Sequence, residues 1–246
     1  MNNELLSKIN ILYEDDDLMA INKPAGLVVH ADGKTEEPSV ADWLIQYYPE
    51  MSLVGEPWES PEGKMIFRPG IVHRIDRETS GALVVCKNQV TFEIMKSKFK
   101  KREVLKSYLA FAYGEMKELR GIIDRPIARS RKDFRLWSAQ RGARGVEREA
   151  ITEFFVKERG KGCSFLEIQP KTGRTHQIRV HLKAINHPVV CDKLYAPKRE
   201  PALGFKRLAL HASKISFEME GKGLIAIESP LPEDFIVALR SLSSKE

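Results

Sequence analysis

Cysteine is scarce: Cys86, Cys163 and Cys191 are the only three in 246 residues. They are odd in number, widely spaced and not in a CxxC pair, which excludes a disulfide framework and a zinc ribbon. No apolar run approaches the roughly 20 residues that span a bilayer. The start, Met1-Asn2-Asn3-Glu4, is polar and unlike a secretory signal, so a cytoplasmic protein without membrane attachment is expected. No GxxxxGK[ST] segment supports ATP use, and no glycine-rich turn supports dinucleotide binding. Repeats, low-complexity tracts and Gly/Ser/Pro linkers are also missing. His176, His181, His187 and Cys191 fall close together, but their spacing fits no zinc pattern, and no metal is expected.

What is present is ordinary for a globular chain: 42% hydrophobic, 30% charged, with a net charge of 40 − 34 = +6. A chain of this length buries roughly 70–75% of its unfolded surface, enough for a real core. One domain spanning residues 1–246 is expected. Ile11 to Asn22 reads as a hairpin around Asp15-Asp16-Asp17, ended by Pro24-Ala25-Gly26. Ala82 to Cys86 is a short apolar run, as in a strand buried on both faces. Phe92, Met95 and Phe99 give Val90 to Arg102 an amphipathic helical stripe. Strands are predicted at Leu105–Tyr113, Ala150–Lys157, Ser164–Pro170, Leu208–Glu218 and Leu224–Glu228. Thr175 is placed as the N-cap of a helix carrying Ile178, Leu182 and Ile185, and a last helix starts near Pro232. Strands following one another directly indicate an α+β class with a largely antiparallel mixed sheet and peripheral helices.

The positive charge is concentrated. Between Arg125 and Arg148 stand Arg129, Arg131, Lys132, Arg135, Arg141 and Arg144, with only Asp133 and Glu147 opposing them and with Phe134 and Trp137 interleaved. Arginine forks suit phosphates and aromatic rings suit bases. A solvated loop has the same composition, so this run gains meaning only beside an active site.

The segment with chemical content is Arg68 to Lys87. Asp76 sits between Arg74 and Arg77, before a Thr79-Ser80-Gly81 turn and the buried strand. Flanking arginines favour the carboxylate, and a turn at a sheet edge holds a side chain in place. Spacing alone favours a surface ion pair at a strand entrance. A glycosidase would need a second carboxylate across the scissile bond, and the segment offers one Asp among arginines.

His73-Arg74-Ile75-Asp76-Arg77-Glu78-Thr79-Ser80-Gly81 resembles the active-site signature of the RluA-type RNA pseudouridine synthases. Four further segments resemble that family's motifs in the same order. They are Ile11 to His30, Lys106-Ser107-Tyr108-Leu109-Ala110, Gly173-Arg174-Thr175-His176-Gln177-Ile178-Arg179-Val180-His181, and Leu210-His211-Ala212. The likeness runs from about Ile11 to Leu239.

The resemblance implies the pseudouridine synthase fold and cofactor-free isomerisation of a uridine in structured RNA, ribosomal or transfer. It implies Asp76 as the catalytic aspartate, acting at C1′ as a nucleophile or at C2′ as a base. Arg174 would be its basic partner. Tyr108 would stack on the base and is a candidate for removing the C5 proton, although at a pKa of about 10 few phenols ionise at neutral pH. Arg74 would enter the space left by the flipped base. Arg74, Arg77, Lys106, Lys23, Arg129 and Arg131 form the expected RNA-contacting set, while His73 is kept out of the chemistry. The opening motif near Ile11 leaves no room for a separate N-terminal RNA-binding module, and a monomer reading a stem-loop is expected. A non-catalytic RNA-binding or ribosome-assembly protein on the same fold is the alternative, and it would not need Asp76, Tyr108 and Arg174 together. Four positions leave the usual pattern. Ile75 and Ala82 replace leucines, and Asn186 and Cys191 replace glycines. These bear on packing and turns, not on the reaction.

Overall fold

The structure, a computed structural model, describes residues 3–31, 37–60, 63, 65–131, 133, 136–140 and 142–243. Lys132, Phe134, Arg135 and Arg141 of the basic segment lie outside the described residues. In chain order the elements begin α1 (Asn3–Leu6), β1 (Asn10–Glu14), β2 (Leu18–Lys23), α2 (Val40–Tyr47), β3 (Trp58–Glu59) and β4 (Met65–Ile66). They continue β5 (Ser80–Cys86), α3 (Gln89–Lys101), β6 (Leu105–Tyr113), β7 (Arg120–Asp124), β8 (Ile127–Arg129) and β9 (Trp137–Ser138). The remainder are β10 (Arg144–Arg148), β11 (Ile151–Gly160), β12 (Cys163–Pro170), α4 (Gln177–Ala184), β13 (Leu210–Met219), β14 (Gly223–Glu228) and α5 (Glu233–Ser243). This is an α+β chain.

The chain forms two compact units, residues 1–104 with 214–229 and residues 105–213 with 230–246. In the first, β2 pairs antiparallel with β1 and β5, and the end of β13 pairs with β14. The acidic turn closes the hairpin because the Asp15 carboxylate accepts the backbone N–H groups of Asp17 and Leu18, both at 2.8 Å. β5 is buried along its whole length, as its uninterrupted apolar run requires. Helix α3 covers it with Phe92 and Met95, and Asn88 caps the helix by accepting Thr91 N–H.

In the second unit the strand order is β6-β12-β11-β7, all antiparallel. Phe111, Phe165, Phe205 and Phe235 meet at its centre with ring separations of 4.8–5.5 Å. Among its described residues the basic segment is not all loop. β10, β8 and β9 form a separate three-stranded sheet, which short alternations such as Ile127-Ala128-Arg129 do not announce.

Helix α4 corrects one boundary. It starts after His176, which adopts φ 55° and makes no side-chain cap. Thr175 is therefore not the N-cap, because the preceding turn is fixed by a buried glutamine instead, as shown below. The helix ends in a Schellman motif: His187 N–H reaches Leu182 O at 2.9 Å and Asn186 N–H reaches Lys183 O at 3.1 Å. Asn186 (φ 65°) and Cys191 (φ 57°), the two residues standing where glycine is usual, both occupy the left-handed region. The turns are kept, with a Cβ in a conformation that disfavours one. Asn186→Gly is expected to raise stability by about 0.5–1 kcal/mol. Urea unfolding checks this, and a lowered midpoint would contradict it.

Candidate functional site

Asp76, Arg74, Arg77 and Lys23 belong to the first unit, and Tyr108, Lys106, Arg174, Arg129 and Arg131 to the second.

Asp76 opens a tight turn in which Thr79 N–H donates to Asp76 O at 3.1 Å, immediately before β5. Register places Lys23, the last residue of β2, opposite Gly81 on β5. Lys23 is therefore not at the surface, and the expectation that it meets RNA is corrected. It is fully buried, and Nζ donates to the carbonyls of Pro24 (2.7 Å), Leu27 (2.7 Å) and Arg77 (3.0 Å). Gly26 N–H donates to the same Arg77 carbonyl at 2.9 Å. A buried ammonium needs such acceptors, and here they hold the residue next to Asp76. The Arg77 side chain is half-exposed and pairs with Glu37 at 2.5 Å. Arg74 is exposed.

His73 is held by the sheet and by a neighbouring ring. Its Nε2 accepts Val84 N–H from β5 at 2.9 Å, and the ring stacks on Phe99 at 4.7 Å. An accepting Nε2 requires the neutral ring with its proton on Nδ1.

In the second unit, Lys106 and Tyr108 are two apart on β6, so they share a face. Tyr108 pairs with Ile168 on β12 and packs against the central core. A Cβ placed on Gly173 would lie 4.0 Å from Lys106 Nζ, so the ammonium sits by the turn that carries Arg174. Burial pushes the Lys106 pKa below that of a free lysine. Arg174 donates through Nε to Glu149 O at 2.9 Å. Its backbone N–H donates to Gln177 Oε1 at 3.0 Å.

Gln177 is the residue whose role the motif did not disclose. Buried at the start of α4, it accepts Thr172 Oγ1–H at 2.7 Å as well as the Arg174 N–H. Its Nε2 donates to Ile151 O and Thr152 Oγ1, both at 3.0 Å. One amide thus clamps the Arg174 turn to β11. Thr152 Oγ1 in turn meets His181 Nδ1 at 2.8 Å, while His181 Nε2 meets Arg125 O at 2.9 Å. A carbonyl only accepts, so Nε2 carries the proton and Nδ1 accepts from the hydroxyl.

Burial holds the His181 pKa below the ordinary histidine value. A depressed folded pKa leaves its contribution intact above the unfolded value of about 6.5, and that contribution is lost as pH falls below it. Urea unfolding should therefore show stability falling below about pH 6.5 by up to about 1.4 kcal/mol per pH unit from this group. In His181→Gln that slope should shrink, and an unchanged slope would refute the assignment.

The basic sheet is tied to the same turn. Trp137 N–H donates to Tyr195 OH at 3.1 Å, and that hydroxyl meets His176 Nδ1 at 2.9 Å. Tyr195 itself lies under the Arg179 guanidinium, which forms a buried bidentate pair with Asp192. Arg129 is cross-strand to Trp137 and its guanidinium covers that indole at 4.1 Å. Arg131 is exposed, beside Gly142. Tyr195 and Asp192 escaped the sequence reading because their contacts cross 58 and 13 residues.

Among the described residues no group of His, Cys, Asp and Glu could hold a metal, and no helix is long and apolar enough to cross a membrane.

Comparison with known proteins fits this reading. The family described as RNA pseudouridylate synthase matches residues 17–184. An uncharacterised RNA pseudouridine synthase of Bacillus subtilis, YlyB, is 35% identical over 235 residues, 95% of this chain and 73% of that protein. Ribosomal large subunit pseudouridine synthase D of Haemophilus ducreyi is 35% identical over 251 residues, 96% of this chain and 71% of that protein. Among solved structures, human RNA pseudouridylate synthase domain containing 1 superposes with a TM-score of 0.72 at 26% identity, covering 94% of this chain and 87% of that one. A match across most of the chain, with relatives above 30% identity over most of their own length, places it in the RNA pseudouridylate synthase family: it is an RluA-type enzyme that isomerises uridine in RNA to pseudouridine.

Proposed function

We propose that the chain acts as one catalytic domain on large-subunit ribosomal RNA, with Asp76 as the essential carboxylate. Two observations support the aspartate. The turn from Asp76 to Thr79 is fastened at its neighbour Arg77 by a buried ammonium and a backbone N–H, and the sequence around it carries the family's signature. Such a turn gives the carboxylate the rigid placement that a reacting group needs. Asp76 initiates cleavage of the N1–C1′ bond. The base rotates, C5 bonds to C1′, the C5 proton leaves and N1 gains one.

Tyr108 offers a ring face to the flipped uracil, and Arg174 orients charge at the reacting centre from a turn clamped by Gln177. Arg74 occupies the space the base vacates, and unstacking a uridine in a folded loop costs a few kcal/mol that such contacts offset. The basic sheet of β8, β9 and β10 grips flanking phosphates. The ribosomal target is favoured over transfer RNA because relatives from Haemophilus ducreyi and Yersinia pestis carry the name ribosomal large subunit pseudouridine synthase D. The proposed enzyme is a cytoplasmic monomer recognising a stem-loop.

Carbodiimide mapping of RNA from a deletion strain complemented with wild type or Asp76→Asn tests the reading. At least one uridine of large-subunit ribosomal RNA should be modified only with the wild type. Modification of transfer RNA alone would overturn the target, and modification by both proteins would overturn the role of Asp76.

A further inference from the structure

Strand β7 ends the sheet of the second unit, with β11 on one side and no strand on the other among the described residues. It pairs with β11 in unbroken register, Arg120 opposite Phe155 and Asp124 opposite Ile151. The bonds that flank the strand show which backbone groups this pairing uses. Val156 N–H donates to Leu119 O at 2.7 Å, and Arg125 N–H donates to Ala150 O at 3.3 Å. The odd-numbered residues therefore bond to β11, and Arg120, Ile122 and Asp124 turn their N–H and C=O groups to the open edge. The side chains of the same three residues are exposed, whereas Ile123 lies in the core. Ile122 is 67% exposed, and neither Arg120 nor Asp124 has an ion-pair partner among the described residues. Such an edge is a template for another strand, and sheets often blunt it with a bulge or a proline. β7 has neither before Pro126.

We propose that β7 pairs antiparallel with β7 of a second copy of the chain, with Ile122 meeting its own counterpart at the centre. Backbone parity, charge and apolar cover all select this register. Only pairing between even-numbered residues joins outward-facing groups, and centring it on Ile122 leaves no outward N–H or C=O of the strand unused. The same register sets Arg120 of each copy opposite Asp124 of the other and covers each exposed Ile122 with the other. A shift of two residues either way sets Ile122 against a charged residue and separates the opposite charges. The contact is self-complementary about a two-fold axis, so assembly closes at two copies. A five-residue edge, about 17 Å long, falls short of a standard interface, and the association is weak. The monomer proposed above is the form present at low concentration, and pairing sets in as concentration rises.

Sedimentation equilibrium of the full chain over about a hundredfold range of concentration tests the pairing. The wild type should pass from the mass of one chain towards that of two, and less readily at high salt. Arg120→Asp sets like charges opposite each other at both ends of the pair, and should raise the dissociation constant about tenfold or more. Arg120→Asp/Asp124→Arg restores opposite charges and should return it to within a few-fold of wild type. Ile122→Pro removes an outward donor that β11 does not use, so the protein should fold while pairing is lost.

A wild type that keeps the mass of one chain throughout overturns the proposal. So does a dimer that Arg120→Asp and Ile122→Pro leave intact, and so does a double variant that pairs as weakly as Arg120→Asp. Should these variants not fold, Ile122→Cys tests the register directly. Residues paired in this way have Cα atoms about 5.5 Å apart, within reach of a disulfide. Oxidation with copper phenanthroline should give a covalent dimer of Ile122→Cys that the wild type, with its cysteines buried or half-buried, does not form. No such dimer, or an equal one from the wild type, overturns the proposal. Asp76 takes no part in these measurements, so the pairing and the catalytic reading fail independently.

Discussion

Asp76→Asn should lower the rate of pseudouridine formation by about three orders of magnitude or more, while leaving RNA affinity within a few-fold of wild type. The substitution keeps the shape of the side chain and removes only its negative charge and basicity. The turn has backbone support of its own: Thr79 N–H donates to Asp76 O, and the Arg77 carbonyl is held by Lys23 and Gly26. A loss of rate in a folded, RNA-binding protein therefore reports chemistry. Tritium release from a ribosomal RNA transcript labelled at uridine C5 measures it directly, because the C5 proton must leave for the C–C bond to form. A rate within tenfold of wild type would remove Asp76 from the mechanism.

Lys23→Met is the second large effect, and it acts on stability first. Methionine fills most of the lysine stem but leaves the carbonyls of Pro24 and Leu27 without their donor and Arg77 O with Gly26 alone. Each buried carbonyl left unpaired costs about 1–3 kcal/mol, and relief from burying a charge offsets part of this. A net loss of about 2–4 kcal/mol is expected in urea unfolding. Below the unfolding transition, kcat should fall more than KM rises, since the carbonyl that is released belongs to the neighbour of Asp76. A loss under about 1 kcal/mol, or an RNA affinity that drops with an altered salt slope, would restore Lys23 to the surface role its position in the motif suggested.

The strands and helices were legible where burial is one-sided or complete. The apolar run Ala82–Cys86 is a buried strand, the stripe Phe92, Met95, Phe99 lies on α3, and the acidic triplet is a hairpin turn. The basic segment misled because its composition, rich in arginine and poor in long apolar stretches, is shared by loops and by small exposed sheets. β10 is exposed at all five positions, so no alternation of burial marks it as a strand. Thr175 misled for a different reason. A threonine ahead of an apolar stripe is a sound N-cap signal, but the Gln177 N–H at this turn already donates to Arg174 O, and the buried Gln177 amide accepts the Arg174 N–H in return.

By itself the sequence determined the reaction. The ordered motifs around Asp76, Tyr108 and Arg174 identify the family, because chemistry fixes residue types and the chain order of a fold fixes their succession. Tertiary structure alone decided which charged residues face inward. Lys23 reads as a surface cation, yet its ammonium is enclosed by three carbonyls. The same is true of Asn186 and Cys191, whose left-handed backbones preserve turns that their side chains disfavour. A side chain's partners are set by contacts across tens of residues, such as the 54 that separate Lys23 from Arg77. No local pattern records such distances, and for that reason the positioning of Asp76 became visible only in the folded chain.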